Sequence, residues 1–266
     1  MGKDDENAIE VRGLYNRFGL HSVHENLDLT VKKGEILGVV GGSGTGKSVL
    51  LRAIVGLRKS QAGTVKFWGK NQANLSQEEA RRERSKWGVL FQDGALFSSL
   101  TVAQNIQVPL REYHNLSEQL LNDIAAMKVN MVGLEPLACD KLPSELSGGM
   151  RKRAGIARAL ALDPEIVFLD EPTAGLDPIG AAAFDNLILK LKNDLGLTVF
   201  LVTHDLDTLY TICDRVAVLA EKRVMVTDTI ENLMDFDHPW VQEYFKGPRA
   251  RAAQAADGAK TPKGKG

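Results

Sequence analysis

The chain has 266 residues, 44% of them hydrophobic and 25% charged, enough to bury a sizeable core in one large domain or two small ones. Its 33 basic and 34 acidic residues leave a net charge of -1, which argues against a globally basic nucleic-acid binder. Cys139 and Cys213 lie far apart and outside any CxxC pair, so neither a disulfide framework nor a zinc site is expected, and a reducing cytosol fits. No apolar run approaches the ~18 residues that span a bilayer, and the acidic start MGKDDENAIE does not read as a signal peptide. Any membrane role is expected to come through a partner.

Short strand-like runs alternate with helical patterns along the chain, the signature of an α/β domain with a largely parallel sheet. VRGLYNRFG and NLDLTVKKGE read as antiparallel strands with turns at glycine, and the run from Glu35 to Gly41 as a buried strand entering a glycine-rich turn. A helix is expected over roughly Gly46 to Gly56, with Val49, Leu50, Ala53 and Ile54 on one apolar stripe. TVKFWGK reads as a further strand. Ser76 with Glu79 forms a capping box that opens a short surface helix, and KWGVLFQ returns to a strand. From about Asp93 to Ala161 the pattern is mostly helical, with starts at Thr101 (boxed with Gln104) and Ser117. The strands IVFLD, TVFLVTH and RVAVLA then resume the α/β rhythm, so the helical stretch reads as an insertion in an α/β core.

Gly41, Gly42, Ser43, Gly44, Thr45, Gly46, Lys47 and Ser48 fit G-x-x-x-x-G-K-[ST] between a buried strand and a helix, the context this motif needs. Its glycines let successive N–H groups turn in around phosphate oxygens, and the helix N-terminus adds a positive dipole. Lys47 supplies a point charge for the β- and γ-phosphates, and the Ser48 hydroxyl is placed to ligate Mg²⁺. The strand from Ile166 ends in Asp170 and Glu171, at the carboxyl edge where α/β proteins bind ligands. Asp170 is a direct or outer partner for Mg²⁺, and Glu171 can polarise an attacking water. His204 and Gln92 end two further apolar strands; a lone histidine there is more often structural and a lone glutamine carries little information, so their weight comes from convergence on one edge.

Leu146-Ser147-Gly148-Gly149-Met150 precedes the helical run RKRAGIARALAL, whose aliphatic face carries Ile156, Ala159 and Leu160. Ser-Gly-Gly at a helix start is either a second anion-binding terminus or an ordinary N-cap after a loop. The ordered set of Gly41 to Ser48, Gln92, LSGGM, IVFLDE, Gly175-Leu176-Asp177 and His204 resembles the ATP-binding cassette (ABC) ATPase family over nearly the whole chain. That resemblance implies an α/β P-loop NTPase fold: a RecA-like parallel-sheet core, an antiparallel β subdomain and an inserted α-helical subdomain.

The family pattern puts the core and β subdomain at about 8–94 and 164–235, the helical subdomain at about 95–163, a C-terminal helical extension at about 236–246 and a disordered tail at 247–266. It implies ATP and Mg²⁺ as ligands, with Phe18 stacking on adenine, Gly41 to Val49 holding phosphate, and Ser48, Gln92 and Asp170 around the metal. Glu171, His204 and Gln92 become the catalytic set, with Gln92 also coupling the γ-phosphate to a membrane partner. It further implies a head-to-tail homodimer in which Ser147, Gly148, Gly149 and Met150 of one copy meet the nucleotide of the other, with Asp177 linking the two sites. Met150 departs from the usual Gln.

LSGGM, AGLDPIGA and LFQDGALFSSLTVAQNIQVPLREY together resemble the ATPases of Mce-associated lipid transporters, the Mla (maintenance of lipid asymmetry) group of Gram-negative bacteria among them. This implies a peripheral protein on the cytoplasmic face of the bacterial inner membrane. Its implied partners are an integral-membrane permease docked near Phe97 to Tyr113, a small regulatory subunit and a lipid-binding Mce-domain protein, with no nucleic acid. The aromatics Trp240, Tyr244 and Phe245 either pack on the chain's own core or dock on a partner. The rival readings are a small-solute importer ATPase, a soluble ABC protein acting on DNA or ribosomes, and a nucleotide-binding regulator without turnover. The absence of a heptad run or second cassette argues against the second, and the presence of Glu171 and His204 against the third.

Overall fold

A computed structural model describes residues 7–92 and 94–247. The described chain falls into two compact units, one holding the residues up to Ala73 and from Phe200 onward, the other Asn74–Val199. The expected tail, 247–266, lies outside the described residues except for Gly247.

In the first unit, β1 (Asn7–Phe18) and β2 (His21–Lys32) form an antiparallel pair, and β4 (Ala62–Phe67) lies antiparallel on the other edge of β1. The short β5 (Lys70–Asn71) completes the order β2-β1-β4-β5. The run expected as one strand, TVKFWGK, is thus two strands broken at Trp68 and Gly69, where φ is positive at +46° and +76°. A positive φ at both central residues is the twist that a two-residue hairpin turn needs.

The same unit holds β3 (Ile36–Val40), buried throughout and parallel to β9 (Arg215–Ala220), with β10 (Arg223–Asp228) antiparallel on β9. Burial on both faces explains why β3 reads as an unbroken apolar run instead of an alternating one. β8 (Thr198–Val202) enters this unit at Phe200, and just past its end the Thr203 amide donates to the Val39 carbonyl at 3.4 Å.

Helices α7 (Leu206–Ile212), α8 (Ile230–Met234) and α9 (Pro239–Lys246) pack against these strands. They share a core with Val40, Val216 and Val218, to which α9 contributes Val241 and Phe245, both fully buried. Of the two readings of the C-terminal aromatics, Phe245 therefore packs on the chain's own core. Trp240 and Tyr244 lie half-buried on the rim of that core, stacked at 4.7 Å and 14°. Replacing a buried Phe by Ala costs about 3–5 kcal/mol, so Phe245→Ala is expected to lower the denaturation midpoint by that equivalent, read by urea titration.

In the second unit, α2 (Gln77–Arg84) opens on the expected Ser76–Glu79 capping box, and α3 (Val102–Tyr113) on the Thr101–Gln104 box. Ser117 caps α4 (Glu118–Met131). β6 (Trp87–Leu90) and β7 (Ile166–Asp170) are parallel neighbours, with Leu90 opposite Leu169 at the carboxyl ends. Between them in sequence come 3-10 turns at Pro136–Asp140 and Pro143–Glu145, then α5 (Gly148–Ala159). α6 (Pro178–Leu195) follows β7, capped by Asp177, with Pro178 where the missing N–H costs nothing. The buried Asn105 ties down the loop before α3: its Oδ1 accepts from the Phe97 amide at 2.8 Å, and its Nδ2 donates to the carbonyls of Phe97, Leu100 and Thr101.

Candidate functional site

The first unit carries the glycine-rich turn between β3 and α1 (Lys47–Ile54), one residue later than the expected helix start at Gly46. A Cβ at Gly41 would sit 2.3 Å from the Leu219 carbonyl oxygen, so only glycine lets the turn pass β9. Gly46 has φ +97° as the N-cap of α1, and a Cβ there would meet Val23 at 2.3 Å and His24 Nε2 at 2.7 Å. The N-cap residue of α1 is itself a glycine and offers no side-chain oxygen, so the positive end of the helix dipole opens onto the turn. The Lys47 ammonium donates to the carbonyls of Gly41 and Gly42 at 2.9 and 3.1 Å, and the Thr45 hydroxyl to Gly42 at 2.9 Å. A cation and the N-terminus of a helix thus meet at one turn, with Ser43 and Gly44 exposed at its tip and Ser48 and Val49 half-buried in the first turn of α1.

His24, fully buried on β2, lies under that turn. Asn16 Nδ2 donates to its Nδ1 at 3.1 Å, which leaves Nε2 to carry the proton and face Gly46. Burial lowers its pKa from 6.5 to about 4; the Gly46 main chain opposes this and the Arg58 charge adds to it. The unfolded chain therefore takes up a proton near pH 6.5 that the folded chain accepts only near pH 4. Stability contributed by neutral His24 is present above about pH 6.5 and lost as the pH falls toward 4, by up to about 3 kcal/mol. Urea denaturation at a series of pH values should show this loss, and His24→Phe should flatten it.

Phe18 is 50% exposed at the end of β1, with the Arg58 guanidinium 3.7 Å above its ring. One ring face is thus taken by a cation, and a flat heterocycle could stack only on the other. His204 is exposed just beyond β8, and the Tyr244 hydroxyl donates to its carbonyl at 3.1 Å. Trp240 of the same helix approaches the glycine-rich turn, its Nε1 3.9 Å from where a Gly42 Cβ would lie. Helix α9 therefore touches both the glycine-rich turn and the segment of His204. Short-range sequence patterns hold no signal for that.

The second unit carries the acidic pair. Asp170 is 3% exposed at the end of β7, and Glu171, half-buried, follows at φ +50°. Gln92 is exposed two residues beyond Leu90, the position equivalent to that of Glu171 beyond Leu169. Lys152 of α5 donates its ammonium to the carbonyls of both Gln92 and Glu171. Arg158, also on α5, holds the neighbouring loop through the carbonyls of Ala95 and Gly94 at 2.7 and 3.0 Å. Neither Lys152 nor Arg158 carries a local sequence signal for these contacts, because their partners lie 19 to 64 residues away in sequence.

The Ser147 hydroxyl caps α5, accepting from the Met150 amide at 3.2 Å, which leaves its own O–H to donate elsewhere. Gly148 and Gly149 face open space up to Leu176, with nothing nearer than 3.8 Å to an added Cβ. Asp177 caps α6 through the Gly180 amide at 2.9 Å. No cluster of three or more His, Cys, Asp or Glu side chains able to hold a metal occurs among the described residues. No helix among the described residues is long and apolar enough to cross a membrane.

A Gly-x-x-x-x-Gly-Lys-Ser turn after a buried parallel strand in the first unit, and an Asp-Glu strand end with a Ser-capped Gly-Gly helix in the second, define a nucleotide-binding class of protein. Residues 24–174 match the family model described as ABC transporter, and the chain belongs to that family. It is 39% identical to the intermembrane phospholipid transport system ATP-binding protein MlaF of Haemophilus influenzae over 243 residues, 91% of this chain and 92% of that protein. It is 40% identical over 242 residues to the probable ribonucleotide transport ATP-binding protein mkl of Mycobacterium leprae, covering 91% of this chain and 70% of that one. Among solved structures it matches the dimeric post-hydrolysis state of the ATP-binding cassette MJ0796 bound to ADP and Pi. There the TM-score is 0.75 and the identity 29%, over 83% of this chain and 98% of the other.

Proposed function

We propose that the chain is the ATP-hydrolysing subunit of an ABC transporter that moves phospholipid between bacterial membranes. One observation carries the lipid assignment: the near end-to-end likeness to a phospholipid transport ATPase, over 91% of this chain and 92% of the relative. ATP binding draws support from the uncapped α1, the Lys47 ammonium and the glycine turn, and from the ADP and Pi named for the MJ0796 cassette.

In this reading the α1 amides and Lys47 hold the β- and γ-phosphates, and Phe18 offers adenine the ring face that Arg58 leaves open. Ser48, Asp170 and Gln92 present hydroxyl, carboxylate and amide oxygens, the hard donors that suit Mg²⁺. With Mg²⁺ held by these groups, its charge would offset the charge developing on the phosphates. Glu171 orients the attacking water, and His204 contacts the γ-phosphate. A second copy completes the site by donating the Ser147 hydroxyl and the amides of Gly148 and Gly149; Met150 is no obstacle, since the hydroxyl and amides make the contact. Asp177 joins the two sites, and Gln92 reports the γ-phosphate to a permease. The protein acts peripherally on the cytoplasmic face of the inner membrane, with a small regulatory subunit and an Mce-domain lipid carrier as further partners. An isolated copy then binds ATP and hydrolyses it poorly.

The name of the mycobacterial relative, 40% identical, favours one alternative cargo, ribonucleotides. Purification from native membranes followed by mass spectrometry of co-purifying subunits and small molecules separates the two. A permease with an Mce-domain protein and bound phospholipid is the expected result. A solute-binding protein with nucleotides and no lipid would overturn the lipid assignment.

A further inference from the structure

Lys152 lies on the second turn of α5 and is 6% exposed, so its ammonium is withdrawn from water. A buried ammonium is tolerable only when its donors are satisfied. Here it donates to the main-chain carbonyl of Gln92 and, at 3.2 Å, to that of Glu171. These carbonyls leave the ends of two adjacent parallel strands in register, since Leu90 lies opposite Leu169. A single side chain therefore joins the segment after β6 to the segment after β7.

The Glu171 backbone makes this joint consequential. Its φ of +50° is left-handed, a conformation that costs an L-residue roughly 1–2 kcal/mol and persists only where neighbours hold it. The Glu171 carbonyl accepts from the Ala174 amide at 3.2 Å as well as from Lys152. Removing the ammonium releases one of these two restraints and lets the peptide turn, carrying the Glu171 carboxylate with it. Displacing the Gln92 segment would tug on the same ammonium.

The geometry points to Lys152 as a positioning residue that holds the Glu171 carboxylate in its working orientation and ties it to the Gln92 segment. The assignment rests on the proposed role of Glu171. Lys152 touches neither nucleotide nor water in this scheme and acts through main-chain carbonyls.

The test uses the full-length chain. Lys152→Met keeps the length of the stem and removes the donors, whereas Lys152→Arg keeps charge and donors. Lys152→Met should bind ATP within about 3-fold of wild type yet lose about 10- to 100-fold in kcat, the scale of a misplaced catalytic group. Lys152→Arg should recover most of that loss. A merely structural lysine would lower melting temperature, affinity and kcat together, and that result overturns the proposal. So does wild-type kcat in Lys152→Met. Should Lys152→Met not fold, Lys152→Gln, which keeps a donor without charge, should lose turnover by several-fold at unchanged affinity; unchanged turnover there overturns the proposal. Glu171→Gln measured alongside separates the two readings. If it is inactive while Lys152→Met is normal, only the positioning role fails. If it turns over normally, the assignment of the base fails.

Discussion

Glu171→Gln is expected to bind ATP as wild type does and to hydrolyse it about 10³-fold more slowly, within the range that a positioned general base contributes. The substitution keeps the shape of the side chain and exchanges an acceptor-only carboxylate for an amide that cannot take a proton from water. The backbone at Glu171 is left-handed and its carbonyl is held by Lys152 and by the Ala174 amide, so the side chain leaves the strand end in a defined direction. Parallel measurements of equilibrium ATP binding and phosphate release read the split. Wild-type turnover in this variant would remove Glu171 from the mechanism.

Lys47→Ala is expected to weaken ATP binding about 100-fold, as loss of charge-assisted contacts worth about 2.7 kcal/mol implies. Two effects combine. The phosphates lose their point charge, and the carbonyls of Gly41 and Gly42 lose the ammonium that spans the turn at 2.9 and 3.1 Å. Lys47→Arg should not restore affinity, because a broad planar guanidinium cannot occupy the place of a compact ammonium within the turn. Calorimetric titration with a non-hydrolysable ATP analogue checks both variants. Affinity within a few-fold of wild type in Lys47→Ala would show that the α1 amides suffice.

Much of the molecule is legible without coordinates. The strands Ile36–Val40, Ile166–Asp170 and Thr198–Val202 are five-residue runs of mostly apolar residues, and each is a fully buried strand in the fold. The caps at Ser76, Thr101 and Ser117 lie where the expected hydroxyls stand, because capping is a contact between residues three apart. β10 carries no such signal, for equally local reasons. It is an edge strand without a clean buried alternation, and its turn uses Glu221 and Lys222 at φ +47° and +65° where glycine or asparagine is the usual signal. That turn is held from a distance: the Lys222 carbonyl accepts from the Glu25 amide, and its ammonium donates to Ser22 and Glu25.

The sequence by itself determined the local form of three segments, since the glycine turn, the Asp170-Glu171 strand end and the Ser147-Gly-Gly helix start are each contiguous. Their backbone requirements act over three to eight residues, within the reach of local patterns. The tertiary structure alone decided how those residues are held. Lys152 reaches Gln92 and Glu171, Asn105 binds the Phe97 loop, Arg58 covers Phe18, and Tyr244 reaches the His204 carbonyl. Each of these uses a polar side chain whose partner is mostly a main-chain group, and every residue type offers the same carbonyl and amide. Such a partner has no residue-type signature, so packing chose it.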